Sequence, residues 1–361
     1  MLPVLLTLRI PAGWVPAAAA LLLAAVAAAR AWSLRRRAPT GERPGWAAAM
    51  WDDRAALGAL AAALAGAWWA GLLSRELVLP LHGYGLMIAA GFVVAIEVAR
   101  REARRWGQDA ERISDLAFWV LVAALVGSRL YFVAVNWREY AGEQAWTTLG
   151  GVRVPRVLVL WEGGLVFYGG FIAAALTAFW YLRRHRLPFL AYADTLIPSV
   201  ALGHVFGRLG CFAAGCCWGR ISHAPLPWLV RFPPESLAYQ AFAARPHGGD
   251  LLAPDRLATL PVHPTQLYEA LGELGLFLAL VLWVRPRKRF EGQVLASWLL
   301  AYAVLRTVVE AFRGDVERGV FAGLGVGQWT SAIVLAAGAL VWVAGRRRGA
   351  AAASTSAALA A

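Results

Sequence analysis

Four polar residues share one face of an otherwise apolar segment. Between Leu299 and Arg313, Tyr302, Arg306, Glu310 and Arg313 stand at i, i+4, i+8 and i+11. At about 100° per residue this confines them to one stripe of a helix. Arg306 and Glu310 have the spacing that lets a helical ion pair form, which leaves one arginine in excess. A positive, hydrogen-bonding stripe turned into a bundle suits a phosphate. Glu310 and Arg313 could equally make a self-neutralising structural pair near a helix end, with Arg313 snorkelling to the interface. For Arg306, deep in the segment, the functional reading has the stronger claim.

A second group lies in Gly203–Arg220, where Gly203, Gly207, Gly210, Gly215 and Gly219 punctuate the chain around Arg208. A guanidinium at a helix end can bind phosphate oxygens bidentately, or simply anchor the helix. Other signals gather around these two. They are Tyr84 in His82-Gly83-Tyr84-Gly85, Arg129 in Gly127-Ser128-Arg129-Leu130-Tyr131, Tyr168 between the glycine pairs 163–164 and 169–170, and His263 opening His263-Pro264-Thr265-Gln266-Leu267-Tyr268-Glu269. Cys211, Cys216 and Cys217, with His204 and His263, match none of the common zinc spacings. No metal and no cofactor is expected.

The elements that carry these residues must lie in lipid. Hydrophobic residues make up 60% of the 361 and charged residues 16%, against roughly 25% charged in a soluble domain. Mean hydropathy is +0.55. Several of the 18 Trp fall near the ends of apolar runs, among them Trp14, Trp32, Trp106, Trp137 and Trp161, as interfacial indoles do. Apolar stretches of about 20 residues, the length a span needs, run over 14–34, 55–73, 84–99, 115–135, 163–182, 191–208, 265–284, 293–311 and 326–344. The net charge of +13 comes from short basic runs, each of which follows one of these stretches: Arg35–Arg37, Arg100–Arg105, Arg183–Arg184, Arg285–Arg289 and Arg346–Arg348. This is the positive-inside pattern, and it excludes nucleic acid as the partner.

Placing Arg35–Arg37 in the cytoplasm puts every other basic run there by alternation, with the N-terminus outside and the C-terminus inside. Every polar signal above then falls on the outer side. The 209–263 connection, rich in Pro, Gly and His, reads as an extracytoplasmic arm beside the site. Residues 1–77 read as an extension with two spans, 78–345 as the functional core, and 346–361 as a basic and then disordered tail.

Together these motifs resemble the prolipoprotein diacylglyceryl transferase family over about residues 78–345. The resemblance rests on Tyr84-Gly85-Leu86-Met87 with Gly91-Phe92, Gly127–Tyr131, Gly163–Gly170, Leu196–Arg220, His263–Glu269, Tyr302 with Arg306, Glu310 and Arg313, and Gly327-Gln328. It implies an all-α polytopic protein of the bacterial inner membrane, with a seven-helix core and here two extra N-terminal spans. It implies transfer of the diacylglyceryl group of phosphatidylglycerol to the lipobox cysteine of a preprolipoprotein, with glycerol 1-phosphate released. By resemblance, the phospholipid-binding arginine falls on Arg208, the second essential arginine on Arg306, functional tyrosines on Tyr84 and Tyr302, the paired glutamate on Glu310 and a motif glycine on Gly219. Arg129, Tyr168, His263 and Arg313 are further candidates for substrate contact.

The sequence departs from the family's usual pattern at Tyr168, where His is common, and at Cys211 and Cys216, where Asn and Glu are found. A tyrosine near pKa 10 is a poor base. The proton acceptor for the thiol therefore stays open among His82, His204, His263, Glu310 and the substrate phosphate. A divergent paralogue that binds lipid or lipoprotein without transferring, and a lipid transporter, are the alternatives.

Overall fold

A computed structural model describes residues 4–10, 77–149, 152–159, 163–246, 248–314, 320–321 and 324–360. The two N-terminal spans expected over 14–34 and 55–73 lie outside the described residues. Seven long helices account for most of the rest: α1 (Gly83–Arg105), α2 (Ala110–Val135), α3 (Phe167–Arg184), α4 (Phe189–Ala214), then, after the short α5 (Leu237–Ala243), α6 (Thr265–Ala279), α7 (Gln293–Glu310) and α8 (Val326–Ala360). Among the described residues six helices are long and apolar enough to cross a membrane. The other, α3, ends on Arg183 and Arg184. Large apolar side chains such as Ile333 and Leu340 are left outside the bundle, 67% and 71% exposed, a surface that lipid covers and water does not.

The chain forms two compact units. Of the described residues, those within 4–5, 81–127 and 170–360 make up one, and those within 6–10, 77–80 and 128–169 the other. In the first, small residues let helices close on one another, as is usual in membranes. A Cβ on Gly91 of α1 would fall 2.5 Å from Phe206 of α4, and one on Gly272 of α6 would strike Leu305 of α7. Ala99, Ala103, Ile113, Leu116, Tyr181, Leu182 and Tyr192 form a core between α1, α2, α3 and α4. The helix α6 continues as a π turn over Leu280–Val284 and a 3-10 turn over Arg285–Arg287. The N-terminus of α7 is held from another helix: buried Asp194 of α4 accepts from the backbone N–H of Gly292 (2.8 Å) and of Leu295 (2.9 Å).

The 209–263 connection is more than an arm. Trp218, Phe232, Ala238, Phe242, Leu252 and Val262 form a core of their own, and short bridges pair Val262 with Ile221 and Val230. Another correction concerns the tail: α8 runs on to Ala360, where disorder is expected from composition. Alanine, the strongest helix former, dominates those residues.

In the second unit Arg129 is 4% exposed. Its three guanidinium nitrogens donate to the carbonyls of Val157 (2.9 Å), Gly163 (2.8 Å), Gly164 (3.3 Å), Arg156 (2.7 Å) and Val159 (3.1 Å). The ends of this loop are thus gathered on one cation, beside the antiparallel hairpin of β3 (Trp146–Leu149) and β4 (Val152–Pro155).

Candidate active site

α4, α6 and α7 bring a chain of ionisable groups together. Arg208 on α4 donates from Nη2 to Glu269 Oε1 on α6 (2.9 Å) and from Nε to His204 Nε2 (3.1 Å). His204 Nδ1 lies 2.7 Å from Glu273 Oε1, and Trp298 Nε1 donates to the other oxygen of Glu273 at 3.2 Å. Tyr302 stacks on Trp298, rings 5.2 Å apart and nearly parallel, with its hydroxyl 3.5 Å from Glu269 Oε1. Arg306 pairs with Glu310 at 2.7 Å and reaches to 3.8 Å from Glu269 Oε2. Both Glu269 and Glu273 are fully buried.

These contacts assign the hydrogen-bond roles around the imidazole. An arginine only donates, so His204 Nε2 must be the acceptor. Its proton therefore sits on Nδ1 and is given to Glu273. A buried carboxylate that holds an imidazole in one tautomer, with the opposite nitrogen's lone pair turned to the reacting side, is the arrangement of a general base.

The site is not the positive stripe expected from α7 alone. Three carboxylates, Glu269, Glu273 and Glu310, stand against Arg208, Arg306 and His204. An ion buried without such a partner loses several kcal/mol of hydration, on the order of the whole stability margin. Glu310 in turn has room only because residue 327 is glycine: a Cβ there would meet its carboxylate.

Other expected residues have places of their own. Tyr84 opens α1 and packs against Gly210, two positions beyond Arg208, where a Cβ would be 3.2 Å from its ring. Gly219 is closely packed. Its N–H donates to His263 O (2.9 Å), it bridges to Arg313, and a Cβ would collide with the carbonyls of His263 and Phe312. Arg313 thus sits at the junction of α7 and the folded connection. His263 is 9% exposed, with Nδ1 3.0 Å from the Tyr268 hydroxyl and its ring on Phe312. Burial, and after it the charge of Arg220, push its imidazole below the ordinary value. Tyr168 is exposed and belongs to the second unit. Arg129, expected to contact substrate, has every nitrogen of its guanidinium engaged by backbone carbonyls.

The turn after α4 is built on Gly215, at φ 69° and with no room for a Cβ beside Ser236. It brings together what sequence spacing separates: the sulfurs of Cys211, Cys216 and Cys217 lie within 4.8 Å of one another. The turn is pinned to α6, whose Thr265 and Gln266 side chains donate to the carbonyls of Cys217 (2.8 Å) and Cys216 (2.6 Å). Hydrogen bonds from the Cys211 and Cys216 thiols, then Arg313 and Arg208, pull the Cys217 thiol down. Its bonds to Cys211 and Cys217, together with burial, push Cys216 up. Three sulfurs this close are a donor set that can hold a soft cation.

Residues 73–344 match the family described as Prolipoprotein diacylglyceryl transferase. The chain belongs to this family. The phosphatidylglycerol–prolipoprotein diacylglyceryl transferase of Psychrobacter arcticus is 31% identical over 280 residues, 74% of this chain and 90% of that protein. The protein of the same name from Burkholderia thailandensis is 33% identical over 289 residues, 76% of this chain and 94% of its own. The one from Mycobacterium leprae is 32% identical over 265 residues, 73% and 76% respectively. The family segment contains the whole of the α4–α6–α7 charge chain. Sequence reasoning placed Arg208, Arg306, Tyr302 and Glu310 in it but gave no role to Glu269 or Glu273. The signal for those two was present, since two carboxylates at i, i+4 inside an apolar span are functional candidates by default.

Proposed function

We propose that this protein transfers the diacylglyceryl group of phosphatidylglycerol to the lipobox cysteine of preprolipoproteins. The observation that carries the proposal is the buried Glu273–His204–Arg208 chain, continued through Glu269 to Tyr302 and Arg306, within a segment that belongs to the transferase family.

The reaction needs two services. The cysteine sulfur attacks the glycerol carbon that bears the phosphate oxygen. A C–S bond forms, the C–O bond breaks, and glycerol 1-phosphate leaves with the electron pair. Arg208 and Arg306 exchange part of their carboxylate contacts for the phosphate oxygens and stabilise the charge that grows there. The thiolate is the competent nucleophile. As Arg208 turns to the phosphate, His204 Nε2 is released to take the thiol proton, while Glu273 stabilises the imidazolium. This assigns the base that Tyr168 does not supply. Tyr84 and Tyr302 flank the headgroup, and Glu310 orients Arg306.

The setting is the bacterial inner membrane, with α3 as the seventh span of the core, the site toward the outer leaflet and the C-terminus in the cytoplasm. The basic runs at one end of the spans support that orientation.

A labelled lipobox peptide and phosphatidylglycerol in liposomes test the reading. Wild-type protein should form the thioether-linked product and release glycerol 1-phosphate, and the wild-type gene should rescue a strain depleted of the transferase. Full transfer by an Arg208→Ala or Arg306→Ala variant would sink the mechanism. No transfer by folded wild-type protein, with no rescue, would sink the function.

A further inference from the structure

We infer that the opposite end of the first unit carries a second phosphate-recognition site, a basic cavity that takes the headgroup of an anionic phospholipid. The cavity is about 670 Å³ and is lined by Trp106, Arg285, Lys288, Arg289, Glu291 and Arg348, with apolar walls from the neighbouring helix ends. Its size falls in the range of about 300–1,000 Å³ usual for small-molecule sites. Four cationic side chains face it against one carboxylate.

The deciding residue is Arg285, which is 3% exposed. Its Nη2 donates to Thr195 Oγ1 at 2.7 Å, and its guanidinium lies over the Trp106 ring at 4.6 Å. Its Nε and Nη1 are buried and have no hydrogen-bond partner among the described residues. A buried charged donor without an acceptor is strongly unfavourable, so a guanidinium held this way, at the wall of a cavity, is arranged for an anion. The nearby carboxylates already have partners: Asp194 and Glu291 each pair with Lys288, at 3.0 and 2.8 Å. With three further cations at the same cavity, this guanidinium suits the charge of a phosphate. The indole and the apolar walls suit the glycerol and the first methylenes of a lipid rather than a fully hydrated ion. This is the end where the basic runs Arg100–Arg105, Arg285–Arg289 and Arg346–Arg348 gather, and basic pockets between spans at such an end are a known mode of headgroup binding. The site does not depend on the transferase reading.

The test is lipid retention by the full-length protein, purified in detergent and followed by native mass spectrometry. Phosphatidic acid is the probe, because phosphatidylglycerol would also report on the Arg208 site. Wild-type and Arg208→Ala protein should each retain one phosphatidic acid at this site, with about tenfold weaker retention in Arg285→Gln, the loss of one charge-assisted contact. Should Arg285→Gln fail to fold, Arg289→Gln combined with Arg348→Gln at the rim reads the same loss. A parallel arm offers inorganic phosphate; displacement of the lipid by millimolar phosphate would assign the site to a free phosphate and overturn the lipid. Equal retention of phosphatidylcholine, or unchanged retention in both sets of variants, would overturn the site altogether.

Discussion

Two clusters of buried charge lie at different places along the same helices, and they are wired differently. Around Arg208 and Arg306, charge meets charge through side chains alone: Glu269, Glu273, Glu310 and His204 form a chain with long members at 3.5–3.8 Å. Around Asp194, charge meets backbone: both carboxylate oxygens are taken by N–H groups of α7, and Lys288 completes the set. Arg129 belongs to the second type. A cation or carboxylate committed to backbone groups cannot leave without opening a helix end or a loop, so it holds structure. One committed to other side chains can trade partners with a ligand after small rotations. Partner type, more than burial, therefore separates working charges from structural ones in this protein.

The sharpest way to break that comparison is to remove a working arginine. Arg208→Ala or Arg306→Ala should lower transfer by about a thousandfold or more, the upper range for losing one preorganised donor to a developing charge. Leaving buried Glu269 short of a cation also costs stability, so rates are compared per folded molecule; a fall in the folded fraction that accounts for all the lost activity would erase the distinction. His204→Gln comes next. It keeps a polar side chain and should cost about a hundredfold in turnover, the lower range for a general base. It should also flatten the acid limb of the pH–rate profile. An unaltered acid limb would move the base elsewhere.

Asp194→Ala makes the opposite claim. It should destabilise the protein by about 3–5 kcal/mol, as breaking a buried pair does, while the folded fraction keeps its turnover. Denaturation midpoints alongside rates per folded molecule decide this. The smallest effect concerns His263. Its folded pKa is depressed, so the unfolded chain takes up this proton first as pH falls. The stability it contributes is complete above the unfolded value near 6.5 and is lost as pH falls through the lower folded value. A His263→Gln variant should therefore show a shallower decline of melting temperature on the acid side, and an identical slope in both proteins would refute the assignment.

How much was legible in the sequence follows the same division. Periodicity within one helix exposed Tyr302, Arg306 and Glu310, because i+4 spacing is written along the chain. The spans over 84–344 were legible for the same reason, hydropathy being a local property. Glu269 and Glu273 act through partners 61 and 69 residues away, and nothing local reports such pairing. The carbonyl contacts of Arg129 were not legible, because a deep arginine looks the same in sequence whether it waits for phosphate or gathers five carbonyls. The thiols of Cys211, Cys216 and Cys217 converge through a left-handed turn that spacing rules for metal ligands do not describe. The folded connection was hidden because its core forms from single apolar residues scattered among prolines and glycines.

The cap that Asp194 supplies also has a bearing on biogenesis. The two N–H groups that donate to it follow it by 98 and 101 residues. At about 5–20 residues per second, translation takes on the order of 5–20 s to deliver them. Throughout that interval α4 is already made and carries a carboxylate with no helix terminus to receive it. A nascent chain halted before Gly292 lacks both N–H donors that fix this acid, so the junction of α4 and α7 cannot close.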